Sequence, residues 1–179
     1  RRMIEGAKVA AAVGPTELAS FLMEAANGAP EVAIFDFEGL DALPDCDEAP
    51  VPFGPDEQCY IQYSSGSTSA PKGVIGTQAS VMANLQGITK HGLKLVDTDR
   101  AASWLPLYHD MGLIGFCLAP MYGQRTVDFL ATSDFVRRPL LWLRIMSENK
   151  TTVTYSPSFG YELSARRAAR AEDGAIDLG

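Results

Sequence analysis

The hydrophobic pattern switches between short apolar runs and stretches with helical spacing. The first residues read as a helix end, and "KVAAAV", Lys8 to Val13, as a short buried strand. "GPTELASFLMEAA" carries helix-start chemistry: Thr16 offers a cap, and Leu18, Phe21, Leu22 and Ala25 recur at helical spacing. "EVAIF", Glu31 to Phe35, reads as a second strand. A β–α–β run of this kind is the unit of a parallel sheet.

Residues 36–57 break the pattern, being acidic and carrying Pro44, Pro50, Pro52 and Pro55, which is the composition of a loop or crossover. "CYIQYSS" is a β-rich run and "GVIGT" a further strand. A helix is expected from Thr77, with Val81, Leu85 and Ile88 on one face and Gly92 past its end. "RAASWLPLYHD" reads as a strand that Pro106 ends, and "MGLIGFCLAPMYG" as a buried helix. "RTVDFL" is a strand. "SDFVRRPLLWLRIMSENK" is a helix from a Ser133 cap, with Leu140, Leu143, Ile145 and Met146 as its apolar positions. "TTVTYS" is a strand and "SFGYELSARRAARA" a helix with a basic outer face. Strands and helices alternate throughout, so the fold class is α/β with a mainly parallel sheet flanked by helices.

Composition narrows this picture. A chain of 179 residues is one ordinary domain, and 46% hydrophobic with 21% charged residues is a globular profile with enough apolar material for a core. No apolar run approaches the roughly 20 residues that span a bilayer, and the N-terminus lacks the pattern of a signal peptide. The chain begins with Arg1 rather than Met, which suggests a processed chain or a piece of a longer one.

The net charge of −7 is unevenly distributed. Asp36, Glu38, Asp41, Asp45, Asp47, Glu48, Asp56 and Glu57 fall in one window without Lys or Arg, and the rest of the chain is near neutral. The window reads as a solvated loop, and no basic stripe suggests nucleic acid. Cys46, Cys59 and Cys117 fit no zinc spacing, and a reduced, cytoplasmic protein is the simple reading.

Two strings carry candidate chemistry. In "YSSGSTSAPKGV", Tyr63 to Val74, the side chains of Ser64, Ser65, Ser67, Thr68 and Ser69 supply hydroxyls, Gly66 and Gly73 backbone freedom, and Lys72 one point charge. Small residues and backbone N–H groups after a strand suit a polyphosphate. The string is not a Walker A loop, because Pro71 stands where the second glycine belongs and Gly73 follows the lysine. A Ser-rich surface loop is the plainer alternative. In "WLPLYHDMGLIG", Trp104 to Gly115, one of the chain's two histidines, His109, sits beside Asp110. A lone histidine is often a structural hydrogen-bonding residue. Next to a Gly-punctuated apolar segment it also reads as a pocket mouth, where His109 can hydrogen-bond a carboxylate or acyl phosphate and Met111, Gly112 and Ile114 line an apolar tunnel.

The first string resembles the phosphate loop of the adenylate-forming enzymes, in the version carried by fatty acyl-AMP ligases, and the second resembles the next motif of those ligases almost residue for residue. A third string, "TVTYSPSFGYELSARR", is similar to their strand-to-helix segment bordering the acyl pocket, whose Gly-Gly-Pro-Asn-Phe corresponds to Tyr155, Ser156, Pro157, Ser158 and Phe159. Tyr155 and Ser156 replace the glycines, which would narrow or reshape the pocket. Phe159 and Tyr161 also read as core packing.

The resemblance implies ATP-dependent activation of a fatty acid to acyl-AMP with release of pyrophosphate. Residues 64–69, Lys72 and Gly73 would hold phosphates, Lys72 and His109 would be catalytic, and His109, Asp110, Met111, Gly112, Ile114, Ser156, Pro157 and Phe159 would face the acyl substrate. It implies Mg²⁺ bound by residues outside this chain and transfer of the acyl group to a carrier protein in lipid or polyketide biosynthesis. It further implies that residues 1–179 are part of an N-terminal AMP-binding domain, with a loop over 36–57, the phosphate loop and acyl region over 58–179, and the C-terminal domain absent. A cut α/β sheet would favour self-association. The alternatives are an acyl-CoA synthetase, an amino-acid-adenylating domain, and a fragment that binds without turnover.

Overall fold

The computed structural model describes residues 2–29, 31–63, 72–169 and 176–178. It divides into two compact units, Arg1–Val81 and Met82–Gly179.

In the first unit, helix α1 (Arg2–Ala7) closes on a left-handed Lys8, φ 50°. The Lys8 and Val9 N–H groups donate back to the carbonyls of Glu5 and Ile4, which satisfies the last turn. Strand β1 (Ala11–Gly14) and strand β2 (Ala33–Asp36) pair in parallel, Ala11 opposite Ala33 through Gly14 opposite Asp36. Helix α2 (Ala19–Ala26) crosses between them, as the alternation of patterns predicts.

Details of this unit differ from the sequence reading. Strand β1 begins three residues later than Lys8 and Val13 is exposed, so it is not a buried strand. The Thr16 hydroxyl does not cap a helix: it donates to Asp36 Oδ2 at 3.2 Å, and a short 3-10 turn, Thr16–Leu18, precedes α2. Leu18 and Phe21 are exposed, while Ala26 is buried. The acidic window is not all loop. Asp36 ends β2 and caps helix α3 (Phe37–Asp41) by accepting from the Gly39 N–H at 2.7 Å. Composition favoured a loop here; one carboxylate at an N-cap position decides for a helical turn.

Strand β3 (Gln58–Tyr63) and strand β4 (Gly73–Thr77) form an antiparallel pair, Tyr63 opposite Gly73. Helix α4 (Gln78–Gln86) follows at once. Thr77 and Ser80 cap it reciprocally, the Thr77 N–H donating to Ser80 Oγ at 2.9 Å and the Ser80 N–H to Thr77 Oγ1 at 3.2 Å. Val81 and Leu85 are buried as expected, but Thr89 rather than Ile88 is the next fully buried position. The chain passes there into a π turn, Gly87–Gly92, which shifts the face.

In the second unit, strand β5 (Arg100–Ser103) and strand β6 (Thr126–Phe129) pair in parallel, and Val153 adds a single parallel bridge to Ala101. The expected strand over "TTVTYS" is thus one bridge beside β5. Val96 N–H and the Thr152 hydroxyl both donate to the Asp99 carboxylate at 2.7 Å, and these two bonds, the backbone one first, hold its pKa below the ordinary value.

Helix α5 (Asp110–Gly112), a π turn (Leu113–Leu118) and helix α6 (Ala119–Gly123) run on as one helical rod. The single helix expected from a Ser133 cap is two: α7 (Thr132–Arg137) and α8 (Leu140–Asn149). Pro139 disfavours helical backbone at Arg138, which adopts φ −137° and ψ 72°. Thr132, not Ser133, makes the anchoring bond, donating its hydroxyl to the Trp104 carbonyl at 2.8 Å. Helix α9 (Ser158–Ala168) closes the unit.

The core here is aromatic. Trp104 stacks on Phe135 with centroids 3.9 Å apart and planes 5° from parallel, and Trp142 meets both edge-on. Phe116, Phe135 and Trp142 are essentially without exposed surface. Burial of each contributes about 1.5–3 kcal/mol, and each aromatic pair about 1 kcal/mol more. Trp142 Nε1 donates to Thr154 Oγ1 and Thr154 donates to the Ala102 carbonyl, tying α8 to the strand region.

Candidate functional site

The serine-rich string joins the two strands of an antiparallel hairpin. Tyr63 and Gly73 are the last paired residues of β3 and β4 on either side of it. Ser64, Ser65, Gly66, Ser67, Thr68 and Ser69 lie outside the described residues. Lys72 is exposed immediately before β4, and β4 stands between it and the start of α4. Lys72 therefore stands before a strand rather than at a helix N-terminus, unlike the lysine of a Walker A loop. The Tyr63 phenol donates to the Met3 carbonyl at 3.1 Å, fixing the root of the hairpin to α1.

The second string leaves β5 through the buried Trp104 and Leu105. Pro106 begins a turn that the His109 N–H closes on the Pro106 carbonyl at 3.2 Å. His109 is then the N-cap residue of α5, in extended conformation. Its Nδ1 lies 2.6 Å from Asp110 Oδ1, and both side chains are more than half exposed. The Met111 N–H sits 2.7 Å from that same carboxylate oxygen and 3.3 Å from Nδ1. A 2.6 Å approach of nitrogen to carboxylate needs a hydrogen between them, so Nδ1 carries it and the amide bonds the carboxylate. With Nδ1 committed to Asp110, Nε2 is the ring atom left for a ligand.

Gly112 is fixed by space: a Cβ there would come 2.2 Å from the Pro106 carbonyl oxygen. That contact seats the first turn of the rod on the backbone preceding His109. Gly112 is buried, and Met111 packs against the aromatic core while Ile114 is half-buried.

The third string meets the second at two points. A Cβ on Gly115 would fall 1.3 Å from the Tyr155 phenol oxygen, and the Tyr155 ring lies on Phe116 with centroids 4.2 Å apart. Burial pushes the Tyr155 pKa up to about 12. Trp104 makes the other contact. Phe159 meets it edge-on at 5.5 Å, and Gly160 leaves the space that Trp104 and Ser156 occupy. Pro157 precedes α9, and the Ser156 hydroxyl donates to the Pro157 carbonyl at 3.0 Å.

Met111, Gly112, Ile114, Ser156, Pro157 and Phe159 thus belong to segments packed within one unit with His109 and Asp110, while Lys72 and Gly73 belong to the other. Sequence reasoning passed over Gly115 and Trp104 as contact makers. Both stand in the quoted "WLPLYHDMGLIG", and the signal was a glycine three positions after Gly112, on one helical face with it.

Among the described residues no three of His, Cys, Asp and Glu come together as a metal-binding group. No helix there is long and apolar enough to cross a membrane.

The sequence matches the family described as AMP-binding enzyme over residues 4–175. A putative acyl-CoA synthetase of Caulobacter vibrioides is 58% identical over 113 residues, covering 63% of this chain and 20% of that protein. A medium-chain-fatty-acid–acyl-carrier-protein ligase of Teredinibacter turnerae is 39% identical over 124 residues, covering 69% of this chain and 19% of that protein. A solved structure from a study of fatty acyl-adenylate ligases of E. coli and L. pneumophila superposes with a TM-score of 0.87 at 42% identity, covering 97% of this chain and 31% of that one. The chain spans about a fifth of the length of the two curated relatives.

Proposed function

The chain belongs to the AMP-binding enzyme family, and on that premise we propose that it is part of a ligase that activates a fatty acid as its acyl-adenylate. A carboxylate oxygen of the acid attacks the α-phosphorus of ATP, the acyl–phosphate bond forms, and pyrophosphate leaves. Every reacting group is anionic, so catalysis requires charge neutralisation and alignment more than proton transfer. The segment from Ser64 to Gly73 holds the β- and γ-phosphates, and Lys72 offsets charge on the leaving pyrophosphate. His109, held through Nδ1 by Asp110, presents Nε2 to the acid's carboxylate or the acyl phosphate. Met111, Gly112, Ile114, Ser156, Pro157 and Phe159 bound the acyl chain, and residues 1–179 are part of the N-terminal domain. Mg²⁺, when bound, supplies further charge neutralisation at the phosphates, and the residues that hold it are proposed to lie outside residues 1–179.

The observation that carries this reading is the joint placement of His109–Asp110, the close-packed Gly112 and Gly115, and the Tyr155–Phe159 segment. It occurs in a chain of which 97% superposes on a structure from a study of fatty acyl-adenylate ligases. The acceptor proposed for the acyl group is a carrier-protein thiol, which the name of the Teredinibacter relative supports. The name of the Caulobacter relative favours a second reading, with coenzyme A as acceptor.

Mass spectrometry of products separates them. The complete protein is incubated with ATP, Mg²⁺ and a ladder of fatty acids, with coenzyme A or a holo carrier protein added in turn. Acyl-AMP that goes on to acyl-carrier and not to acyl-CoA is the expected result. Acyl-CoA would establish the second reading, and no adenylate with any acid would remove both.

A further inference from the structure

The end of α7, the start of α8 and the last turn of α9 enclose a cavity of about 390 Å³. Arg137, Arg138, Arg144 and Arg167 stand around it, and among the described residues none that lines it is acidic. This is the reverse of the chain's balance, which is −7 overall. Arg138 keeps a loose approach to Asp134, 3.9 Å. No ion pair or hydrogen bond holds the side chains of Arg137, Arg144 and Arg167 among the described residues. Three of these four like charges have no acidic partner among the described residues, and the fourth has a distant one; such a group suits carboxylates or phosphates brought from outside.

The other lining residues are apolar: Pro139 is fully buried, and Leu140 and Leu141 are half-buried. Apolar residues set among arginines are the composition of a protein-binding surface. A nucleic acid would call for an extended basic stripe, and this is a single concave patch.

We propose that this cavity is the docking surface for the carrier protein that presents the acceptor thiol, through an acidic face of that carrier complementary to the arginines, an inference that rests on the acyl-transfer reading above. The arginines steer that face and fix the carrier's orientation, and the leucines seat its apolar contact. The placement suits the task. Arg167 lies in the last turn of α9 and Phe159 in the first, eight residues or roughly 12 Å of helix rise apart. A carrier seated at one end of α9 is one short helix from the residue proposed to border the acyl chain.

The test is fluorescence anisotropy of a labelled holo carrier protein titrated with the complete protein, alongside fatty-acid-dependent ATP–pyrophosphate exchange on the same preparations. Arg137→Glu/Arg144→Glu is expected to weaken carrier binding about tenfold or more and to flatten its salt dependence. Exchange should stay at the wild-type rate, which also reports an intact fold. Arg167→Glu, on a different helix, is expected to weaken binding in the same direction. Equal carrier affinity in wild type and both variants overturns the surface, as does a wild type that does not bind the carrier. Arginine-dependent binding without any exchange would support the surface while removing the activation reading; exchange with arginine-independent binding would do the opposite.

Discussion

Lys72 stands exposed, one residue before the paired Gly73, so its side chain can be removed without opening a core. In the complete protein, Lys72→Ala is expected to lower acyl-AMP formation by about 10²–10³-fold, the scale of losing one transition-state charge contact. The melting temperature should change little. Adenylate formation at the wild-type rate, read by pyrophosphate exchange, would remove the phosphate role. His109 occupies a different position, an exposed N-cap held by Asp110. His109→Ala should raise the apparent KM for the acid more than it weakens ATP binding, and calorimetry showing an equal loss of ATP affinity would count against that role. Tyr155 gives a pH signature. Its folded pKa, about 12, lies above the ordinary value of 10.0. The neutral phenol is therefore favoured by the fold: its contribution is full below pH 10 and is lost as pH rises through about 12. Denaturant titrations across that window should show a fall in stability that Tyr155→Phe reduces.

At the scale of elements, the rod from Asp110 to Gly123 depends on close backbone approach. The Pro106 carbonyl is backbone and cannot swing aside, so Gly112→Ala must displace the rod's first turn and His109 with it. The expected cost is about 3 kcal/mol, a fall of about 6–12 °C in Tm for a chain of this size. Calorimetric scanning that found Gly112→Ala as stable as wild type would mean the rod is not seated on Pro106. The two π turns act in a related way. In each, an N–H reaches back five residues, Leu93 to Ile88 and Ala119 to Ile114, and the helix face rotates. The first brings Thr89 into the buried set, where its hydroxyl donates to the Leu85 carbonyl at 2.8 Å. The second lies in the rod segment where Gly115 meets Tyr155 and Phe116 enters the core.

At the scale of the whole molecule, the second unit holds the aromatic centre, and both units leave large apolar side chains exposed: Phe21 at 65%, Phe53 at 67% and Val51 at 82% in the first, Tyr108 at 90% and Met121 at 70% in the second. Apolar surface of that kind seeks cover. The 179-residue chain by itself is expected to self-associate at micromolar concentration, with sedimentation velocity as the readout. A sharp monomer peak across a concentration series would show that these side chains are tolerated in water.

What was legible in the sequence is what depends on neighbours along the chain. The β–α–β run expected over Lys8–Phe35, the helix after Thr77 and the strand expected to end at Pro106 are all local patterns, and each formed within about three residues of its expected place. The candidate strings stand out in the sequence by residue type and order, small hydroxyl residues ending in Lys72 and a His109–Asp110 pair, and the roles given to them are proposals. The misplaced details were decided by competition between neighbours: Asp36 capping α3 within an acidic stretch, and Pro139 breaking a helix whose periodicity ran on. Only the tertiary structure decided that β3 and β4 pair antiparallel. It alone set Tyr155 against Gly115, forty residues away, and Phe159 against Trp104. Periodicity records which face of an element is apolar; which residue of a distant element fills the space beside a missing Cβ depends on how the elements pack.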